Sequence, residues 1–111
     1  MVYIAVMGHG VVGSGVVEVF YKNNKSIISK AGIDMDIKYI LDIRDFPGLP
    51  YSDKFIKSFD PIINDPDIKI VVEVMGGLEP SYTYVKRCLM AGKSVVTSNK
   101  ALVAAYGSEL L

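Results

Sequence analysis

The sequence predicts an α/β protein built on a doubly wound, mainly parallel sheet with helices on both faces. Apolar runs rich in β-branched residues alternate along the chain with segments of helical periodicity, and this alternation favours right-handed crossovers onto a parallel sheet. A cluster of glycines directly after the first apolar run predicts a tight strand-to-helix turn. The 111 residues suffice for one domain, which we expect to span residues 1–111.

Four apolar runs are the predicted strands. Val and Ile dominate them, and runs that are apolar at nearly every position are typical of strands buried on both faces. The strands are expected at residues 3–7, 37–43, 68–75 and 94–97.

The helix after the glycines is expected to bury one apolar face, whose members recur at helical spacing: Val12, Val16, Val19 and Phe20. A break is expected near residues 23–24. The helix is then expected to continue through residues 25–31 to a C-terminal cap at Gly32.

Three further helices are predicted. A short one is expected to begin with Asp60 as its N-cap and Pro61 in its first turn. A longer one is expected to run from Pro80 to Gly92 with an apolar face formed by Tyr82, Val85 and Leu89. The last is expected over residues 99–106, and residues 44–54 are the predicted irregular loop.

Composition excludes several classes of function. Twelve basic and twelve acidic residues balance to zero, so no basic field is available for nucleic acid. No apolar run reaches the ~18 residues of a membrane span, and the N-terminus lacks the basic region of a signal peptide. Cys88 is the one cysteine, so an internal disulfide is excluded and we expect a cytoplasmic protein. We also expect that it binds neither nucleic acid nor membrane and holds no metal.

The glycine cluster predicts a dinucleotide-binding turn of the Rossmann type. In the pattern G-x-G-x-x-G, Gly8 permits the tight turn, Gly10 leaves room for the pyrophosphate, and Gly13 lets the helix pack closely on the strand. A strand before the motif and a helix after it favour NAD or NADP, against a glycine-rich turn with no ligand. The anion is expected to bind backbone N–H groups at the positive end of the helix, namely those of His9, Gly10, Val11 and Val12.

Charged residues at the end of the second predicted strand are candidates for the adenosine ribose. Asp42 or Asp45 would bind the ribose hydroxyls of NAD, whereas Arg44 would pair with the 2′-phosphate of NADP. A solvated charge cluster at the start of a loop is the alternative for each. These residues alone leave the choice of cofactor open.

Two further segments follow predicted strands, at the edge where open α/β sheets bind ligands. The backbone of Gly76 and Gly77 could pass beneath a nicotinamide ribose, or form a simple turn. Ser98 or Asn99 is expected to cap a helix with Lys100 in its first turn. Because a lysine there opposes the helix dipole, Lys100 indicates an anionic or carbonyl partner, or else a solvated surface position.

Three other residues are expected to serve structure. An unpaired charge inside a strand is costly, so Glu73 is expected to face the cleft edge or to pair with a neighbour. His9 is expected to point its side chain outward. Cys88 is expected to be a packed apolar side chain, because no histidine is placed to activate it.

With these motifs the chain closely resembles the N-terminal nucleotide-binding domain of the homoserine dehydrogenases. The resemblance covers essentially all 111 residues and includes "GHGVVGSGVVEVF", "ILDIRD" and "INDPDIKIVVEVMGG". Its most specific part is "VVEVMGG" followed, after one helix, by "GKSVVTSNKALVA".

The resemblance implies an oxidoreductase that reduces aspartate 4-semialdehyde to homoserine with NADH or NADPH, in threonine and methionine biosynthesis. It implies that residues 9–13 form the pyrophosphate loop and that Arg44 can hold a 2′-phosphate. It also implies that Gly76 lies beside the nicotinamide, and that Lys100 lies near nicotinamide and substrate as the candidate catalytic residue.

Three residues bear on how far the family pattern carries over. His9 stands where a large apolar residue is common, and Val11 where threonine or asparagine is common. Both contacts are mainly through backbone, so binding should survive. Asp42 near Arg44 leaves the preference for NADP in doubt, because its charge would repel a 2′-phosphate.

The family's substrate-binding and dimerising domain is expected to follow these residues, in a homodimeric full-length protein. An element that starts at Ser108 and stops at Leu111 also indicates a fragment, so we expect this chain to bind NAD(P) without turnover. The alternatives are a free-standing NAD(P)-sensing module and another Rossmann dehydrogenase. The length of the source reading frame would separate the sensor from the dehydrogenase.

Overall fold

The structure, a computed structural model, describes residues 2–23, 32, 34–99 and 102. Within this part of the chain the sheet has five strands, β1 Val2–Met7, β2 Met35–Leu41, β3 Phe55–Ile56, β4 Ile68–Glu73 and β5 Ser94–Thr97. Their order is β3-β2-β1-β4-β5, and every neighbouring pair is parallel. The order reverses at β1, the switch point where such sheets bind ligands. The predicted doubly wound sheet is confirmed.

Two predicted strands end earlier than expected, for the same physical reason. β2 ends at Leu41 rather than at residue 43, and β4 ends at Glu73 rather than at residue 75. Oδ1 of Asp42 accepts the backbone N–H of Arg44 at 2.9 Å, and Oε1 of Glu73 accepts that of Met75 at 2.8 Å. A carboxylate that bonds the N–H two residues ahead turns the chain and ends the strand.

The sequence analysis missed β3. This strand has only two residues, too few to show a hydrophobic period, and it follows a 3₁₀ turn over Ser52–Lys54. It extends the sheet by pairing with the last two residues of β2.

The helix α1 covers Val11–Lys22 and buries Gly13, Val17 and Phe20. The predicted apolar face was therefore wrong except for Phe20, since Val12 and Val19 are more than half exposed. Contact between Gly13 and the backbone of Gly8 fixes which side of the helix faces the sheet. The predicted continuation over 25–31 lies outside the described residues.

The other two helices agree in position with their predictions but not in detail. α2 covers Asp60–Asn64, with Pro61 in its first turn and Phe59 rather than Asp60 as the N-cap. α3 covers Ser81–Met90. It buries Ser81, Val85 and Cys88 instead of the predicted face of Tyr82, Val85 and Leu89.

Alternate residues of β1 divide the core into two layers. Ala5 and Met7 pack in the cluster that includes residues of α2 and α3. Ile4 and Val6 pack in the cluster that includes Val17 and Phe20 of α1. Helices on both faces thus bury the sheet, and among the described helices none is long and apolar enough to cross a membrane.

Candidate dinucleotide-binding site

The glycine loop between β1 and α1 is built by close backbone contacts. Gly8 has a φ of +105°, and its N–H donates to the carbonyl of Leu41 at 2.7 Å. A Cβ atom on Gly13 would lie 2.0 Å from the carbonyl oxygen of Gly8. The structure therefore gives Gly8 the tight turn and Gly13 the close helix–strand packing that the sequence predicts.

The N-terminus of α1 has no side-chain cap. Its first hydrogen bond joins the N–H of Ser14 to the carbonyl of Gly10, so helix geometry leaves the N–H groups of Val11, Val12 and Gly13 without partners inside the helix. A Cβ atom on Gly10 would meet nothing within 4 Å. Free donors, the positive end of a helix and open space fit the pyrophosphate of a dinucleotide.

The expectation that His9 points outward was wrong. Its side chain is buried, and Nε2 lies 3.0 Å from the hydroxyl of Tyr51. The ring also makes edge contacts with Phe46 and Phe55, with centroid separations of 4.6 and 4.9 Å. Burial among these aromatic rings disfavours the charged imidazolium and lowers the pKa of His9.

The backbone N–H of His9 also has a hydrogen-bond partner within the protein. Its N–H donates to Oδ2 of Asp42 at 2.9 Å, which corrects the prediction that this group contacts the pyrophosphate. His9 therefore holds the glycine loop against the end of β2.

Asp42 and Arg44 form one unit at the end of β2. Oδ1 of Asp42 accepts Nε of Arg44 at 3.0 Å, and Oδ2 accepts Nη2 at 2.9 Å. With the two backbone bonds, the carboxylate accepts four hydrogen bonds, about its full capacity. The Arg44 side chain and the two backbone N–H groups hold the pKa of Asp42 well below its usual range.

The two side chains differ in exposure. The side chain of Asp42 is 7% exposed, whereas that of Arg44 is 60% exposed. The guanidinium also lies over the ring of Phe46, 5.3 Å from its centroid. The candidate Asp45 lies further out and forms an ion pair with Lys57 at 2.9 Å, in which both side chains are exposed.

A cleft of about 350 Å³ joins the glycine loop to the Asp42–Arg44 unit. It continues past the end of β4 to the start of α3. Its lining residues are Gly8, His9, Gly10, Leu41, Asp42, Ile43, Arg44, Lys57, Val74, Met75, Pro80 and Tyr84. The structure thus brings part of the predicted pyrophosphate loop to one cleft with Asp42 and Arg44, whereas Val11, Val12 and Asp45 do not line it.

The second pair of predicted glycines lies on the other side of β1, after β4. Gly76 and Gly77 both have positive φ, +77° and +74°. Nδ2 of Asn99 donates to the carbonyl of Gly77 at 2.5 Å, and Oδ1 of Asn99 accepts the N–H of Leu102 at 3.1 Å. This is the bond that a helix N-cap makes, and Asn99 rather than Ser98 makes it. Lys100 and, apart from Asn99 and Leu102, the helix predicted over 99–106 lie outside the described residues.

Glu73 connects the segments around these glycines. Its side chain is completely buried, and it pairs with its neighbours, as one of the two expectations held. Oε1 accepts the N–H of Met75 and the hydroxyl of Ser81, and Oε2 accepts the hydroxyl of Thr97 at 2.6 Å. The sequence analysis did not identify Ser81 or Thr97 as partners of Glu73. For Thr97 a signal was present, because this hydroxyl residue pairs in register with Glu73 on the neighbouring strand.

Cys88 is a buried side chain in the core, as predicted. Burial raises the pKa of its thiol to about 11, so it holds little thiolate at neutral pH and is a poor nucleophile. Among the residues that the structure describes, no group of three His, Cys, Asp or Glu side chains could hold a metal ion.

Comparison with known proteins gives a consistent result. Residues 8–111 match the family model of the homoserine dehydrogenase NAD-binding domain. Homoserine dehydrogenase of Bacillus subtilis is 37% identical in an alignment of 113 positions that covers 97% of this chain and 26% of the relative. That of Synechocystis is 38% identical in an alignment of 114 positions that covers 98% of this chain and 25% of the relative.

Solved structures agree with the sequence relatives. The crystal structure of S. aureus homoserine dehydrogenase at pH 7.5 superposes with a TM-score of 0.90 at 36% identity, covering 98% of this chain and 28% of that one. The chain spans about a quarter of the length of the curated relatives it matches. It belongs to the homoserine dehydrogenase family, as an NAD-binding domain of that family.

Proposed function

We propose that this chain is the cofactor-binding part of an NAD(P)H-dependent homoserine dehydrogenase, which reduces aspartate 4-semialdehyde to homoserine. The observation that carries the proposal is the uncapped N-terminus of α1 beside the open position at Gly10, in a chain of this family. A substrate-binding and dimerising domain is expected to follow in the full-length cytoplasmic enzyme. This chain alone is expected to bind the cofactor without turnover, because hydride transfer needs the aldehyde held against the nicotinamide.

Each proposed role follows from a donor or from a space in the cleft. The N–H groups of Val11, Val12 and Gly13 would bind the pyrophosphate, and Gly10 would let it approach. Gly76 and Gly77 would lie beside the nicotinamide ribose. When bound, the reduced dinucleotide supplies a hydride to the aldehyde carbon. Lys100 is the candidate catalytic residue near the carbonyl.

We further propose that the cofactor is NADP rather than NAD. Asp42 is nearly buried and its carboxylate already accepts four hydrogen bonds, so it has no capacity left for ribose hydroxyls. Arg44 uses two of its five N–H donors on Asp42 and keeps three on an exposed guanidinium. Those donors suit a 2′-phosphate.

The pairing also answers the objection that Asp42 would repel the phosphate. Arg44 neutralises the carboxylate at hydrogen-bond distance, so the phosphate would meet an ion pair and not a bare negative charge. Lys57 lines the same cleft, where it forms its own ion pair with Asp45.

The test is a calorimetric titration of the protein with NADPH and with NADH at one salt concentration. We expect NADPH to bind more tightly. Arg44→Ala should weaken NADPH binding roughly 10-fold to 100-fold, the loss expected for hydrogen bonds to a charged group. It should leave NADH binding equal or stronger, because it frees the carboxylate of Asp42.

Arg87→Ala is the matched control, since Arg87 is an exposed arginine on α3 and does not line the cleft. Tighter binding of NADH, with Arg44→Ala leaving NADPH unchanged, would contradict the assignment of Arg44. If the protein bound neither dinucleotide, the proposed function of the domain would be wrong. In the full-length enzyme, failure to reduce aspartate 4-semialdehyde would contradict the proposed substrate.

A further inference from the structure

The carboxyl ends of β4 and β5 lie on the opposite side of β1 from Arg44. A dinucleotide whose pyrophosphate lies at the N-terminus of α1 and whose adenosine lies at the end of β2 must extend its other half across β1 toward β4. On the proposed function, the turns after β4 and β5 therefore border that half of the site.

In the turn after β4, Val74 and Met75 pack against the core, but the two glycines that follow are not held by apolar packing. Gly76 and Gly77 are exposed, and a Cβ atom on either would meet nothing within 4 Å. Both need positive φ, which costs little for glycine but fixes no single conformation. Polar bonds must therefore set the path of this turn.

Those bonds converge on Glu73. Its carboxylate accepts from the N–H of Met75 at the start of the turn and from the hydroxyl of Ser81 at the start of α3, at 2.8 and 3.2 Å. It accepts from the hydroxyl of Thr97 at the end of β5 at 2.6 Å. Three segments that are separate in sequence thus share one buried acceptor.

The bonds continue from Thr97 back to the glycines. Oγ1 of Thr97 accepts the N–H of Asn99 at 3.0 Å, and the side-chain amide of Asn99 donates to the carbonyl of Gly77. The path Glu73–Thr97–Asn99–Gly77 forms a closed ring with the chain from Glu73 to Gly77. Hydrogen bonds therefore tie the turn after β4 to the turn after β5.

We propose that Glu73 is the positioning residue of the nicotinamide half of the site. The three groups that donate to Glu73 are uncharged, so no cation offsets the desolvation of its buried carboxylate. An apolar residue of the same size would cost less free energy at this position. The bonds fix the two turns that face the end of the dinucleotide. Glu73 acts through Thr97 and Asn99 and has no contact with the cofactor itself.

The experiment compares two ligands that share the adenosine half. Glu73→Gln keeps the size of the side chain and one acceptor oxygen, but replaces the other oxygen with an NH₂ group that cannot accept from Thr97. We expect it to weaken NADPH binding at least about tenfold, which is ~1.4 kcal/mol. Binding of adenosine 2′,5′-bisphosphate, which lacks the nicotinamide half, should stay within twofold. The change in fluorescence of NADPH on binding should fall.

A second pair of variants keeps the test decisive if Glu73→Gln does not fold. Thr97→Val removes the bridging hydroxyl with little change of shape and should repeat the selective loss, whereas Thr97→Ser keeps the hydroxyl and should bind as wild type does. Equal weakening of both ligands, or no weakening of NADPH, would overturn the role of Glu73. A wild-type protein that bound neither ligand would instead overturn the proposed function, and the inference with it.

Discussion

The backbone N–H of His9 donates a 2.9 Å hydrogen bond to the carboxylate of Asp42, 33 residues further along the chain. This bond joins the glycine loop after β1 to the end of β2. Because Asp42 also binds Arg44, one nearly buried carboxylate fixes both the loop proposed for the pyrophosphate and the cation proposed for the 2′-phosphate.

Replacing this carboxylate should destabilise the fold. Asp42→Ala leaves the N–H of His9 without its acceptor, and we expect the free energy of unfolding to fall by about 1–3 kcal/mol at pH 7. Urea unfolding of the wild type and the variant measures this difference in free energy. Asp45→Ala, which removes an exposed ion pair, is the control and should change little.

The effect should depend on pH in a fixed direction. The pKa of Asp42 is lowered in the folded protein from its usual 3.8, so the stabilisation is present above pH 3.8 and is lost as the pH falls below it. The difference between wild type and Asp42→Ala should therefore be smaller at pH 3 than at pH 7. An equal difference at the two pH values would mean that Asp42 is not the ionised acceptor.

The ring of His9 should matter for its shape more than for its polarity. It packs among three aromatic rings, and its Nδ1 is buried without a hydrogen bond to the described residues. His9→Ala should lower the free energy of unfolding by roughly 2–4 kcal/mol through the cavity it leaves. His9→Leu should restore most of this stability, because it fills the space without a buried polar atom.

A double-mutant cycle with Tyr51 isolates the polar part. Tyr51→Phe removes the hydroxyl next to Nε2 and should cost about 1 kcal/mol with His9 present. With His9→Leu the same change should cost much less, because no ring nitrogen loses a partner. Equal costs in the two backgrounds would show that this hydrogen bond contributes nothing.

The sheet and the glycine loop were predictable because their signals are local. Gly13 is demanded by the nearby backbone of Gly8 and Gly8 by its own positive φ, and β5 is a short run around two valines that follows a turn. The rotation of α1 and α3 was not predictable in the same way. Each has several apolar residues that could face the sheet, and one contact with a residue outside the helix decides between them, Gly13 on Gly8 for α1 and Ser81 on Glu73 for α3.

In the candidate site, too, local features were predictable from the sequence and contacts between distant segments were not. Asp42 and Arg44 could be identified from their place after a strand, but not their bidentate pairing, which depends on how the chain turns after β2. The burial of His9 depends on Phe46, Tyr51 and Phe55. Those residues come from a loop with two prolines and from a two-residue strand, where neither periodicity nor a motif is available.

Gly13 should not tolerate even a methyl group. In Gly13→Ala the new Cβ atom would lie 2.0 Å from the carbonyl oxygen of Gly8, so α1 or the loop must shift. We expect a loss of about 1–3 kcal/mol in the free energy of unfolding and at least tenfold weaker NADPH binding. Denaturant unfolding and calorimetry measure the two effects.

Gly15 provides the matched control in the same helix. A Cβ atom there would meet nothing within 4 Å, and alanine is a better helix former than glycine. Gly15→Ala should therefore raise the free energy of unfolding by roughly 0.5–1 kcal/mol and leave NADPH binding unchanged. Similar losses at both positions would show that the packing of Gly13 on Gly8 is not what the loop requires.

Cys88 should destabilise the protein at high pH. Burial raises the pKa of its thiol from 9.0 to about 11, so the stabilisation is complete below pH 9 and is lost as the pH rises toward 11. The loss approaches about 2 kcal/mol at pH 11.

Cys88→Ala removes this titration, although it costs stability at every pH through a small cavity. The difference between wild type and Cys88→Ala should thus narrow between pH 8.5 and 11 in urea unfolding. A difference that stays constant over this range would mean that the thiol ionises as easily in the folded protein as in the unfolded chain.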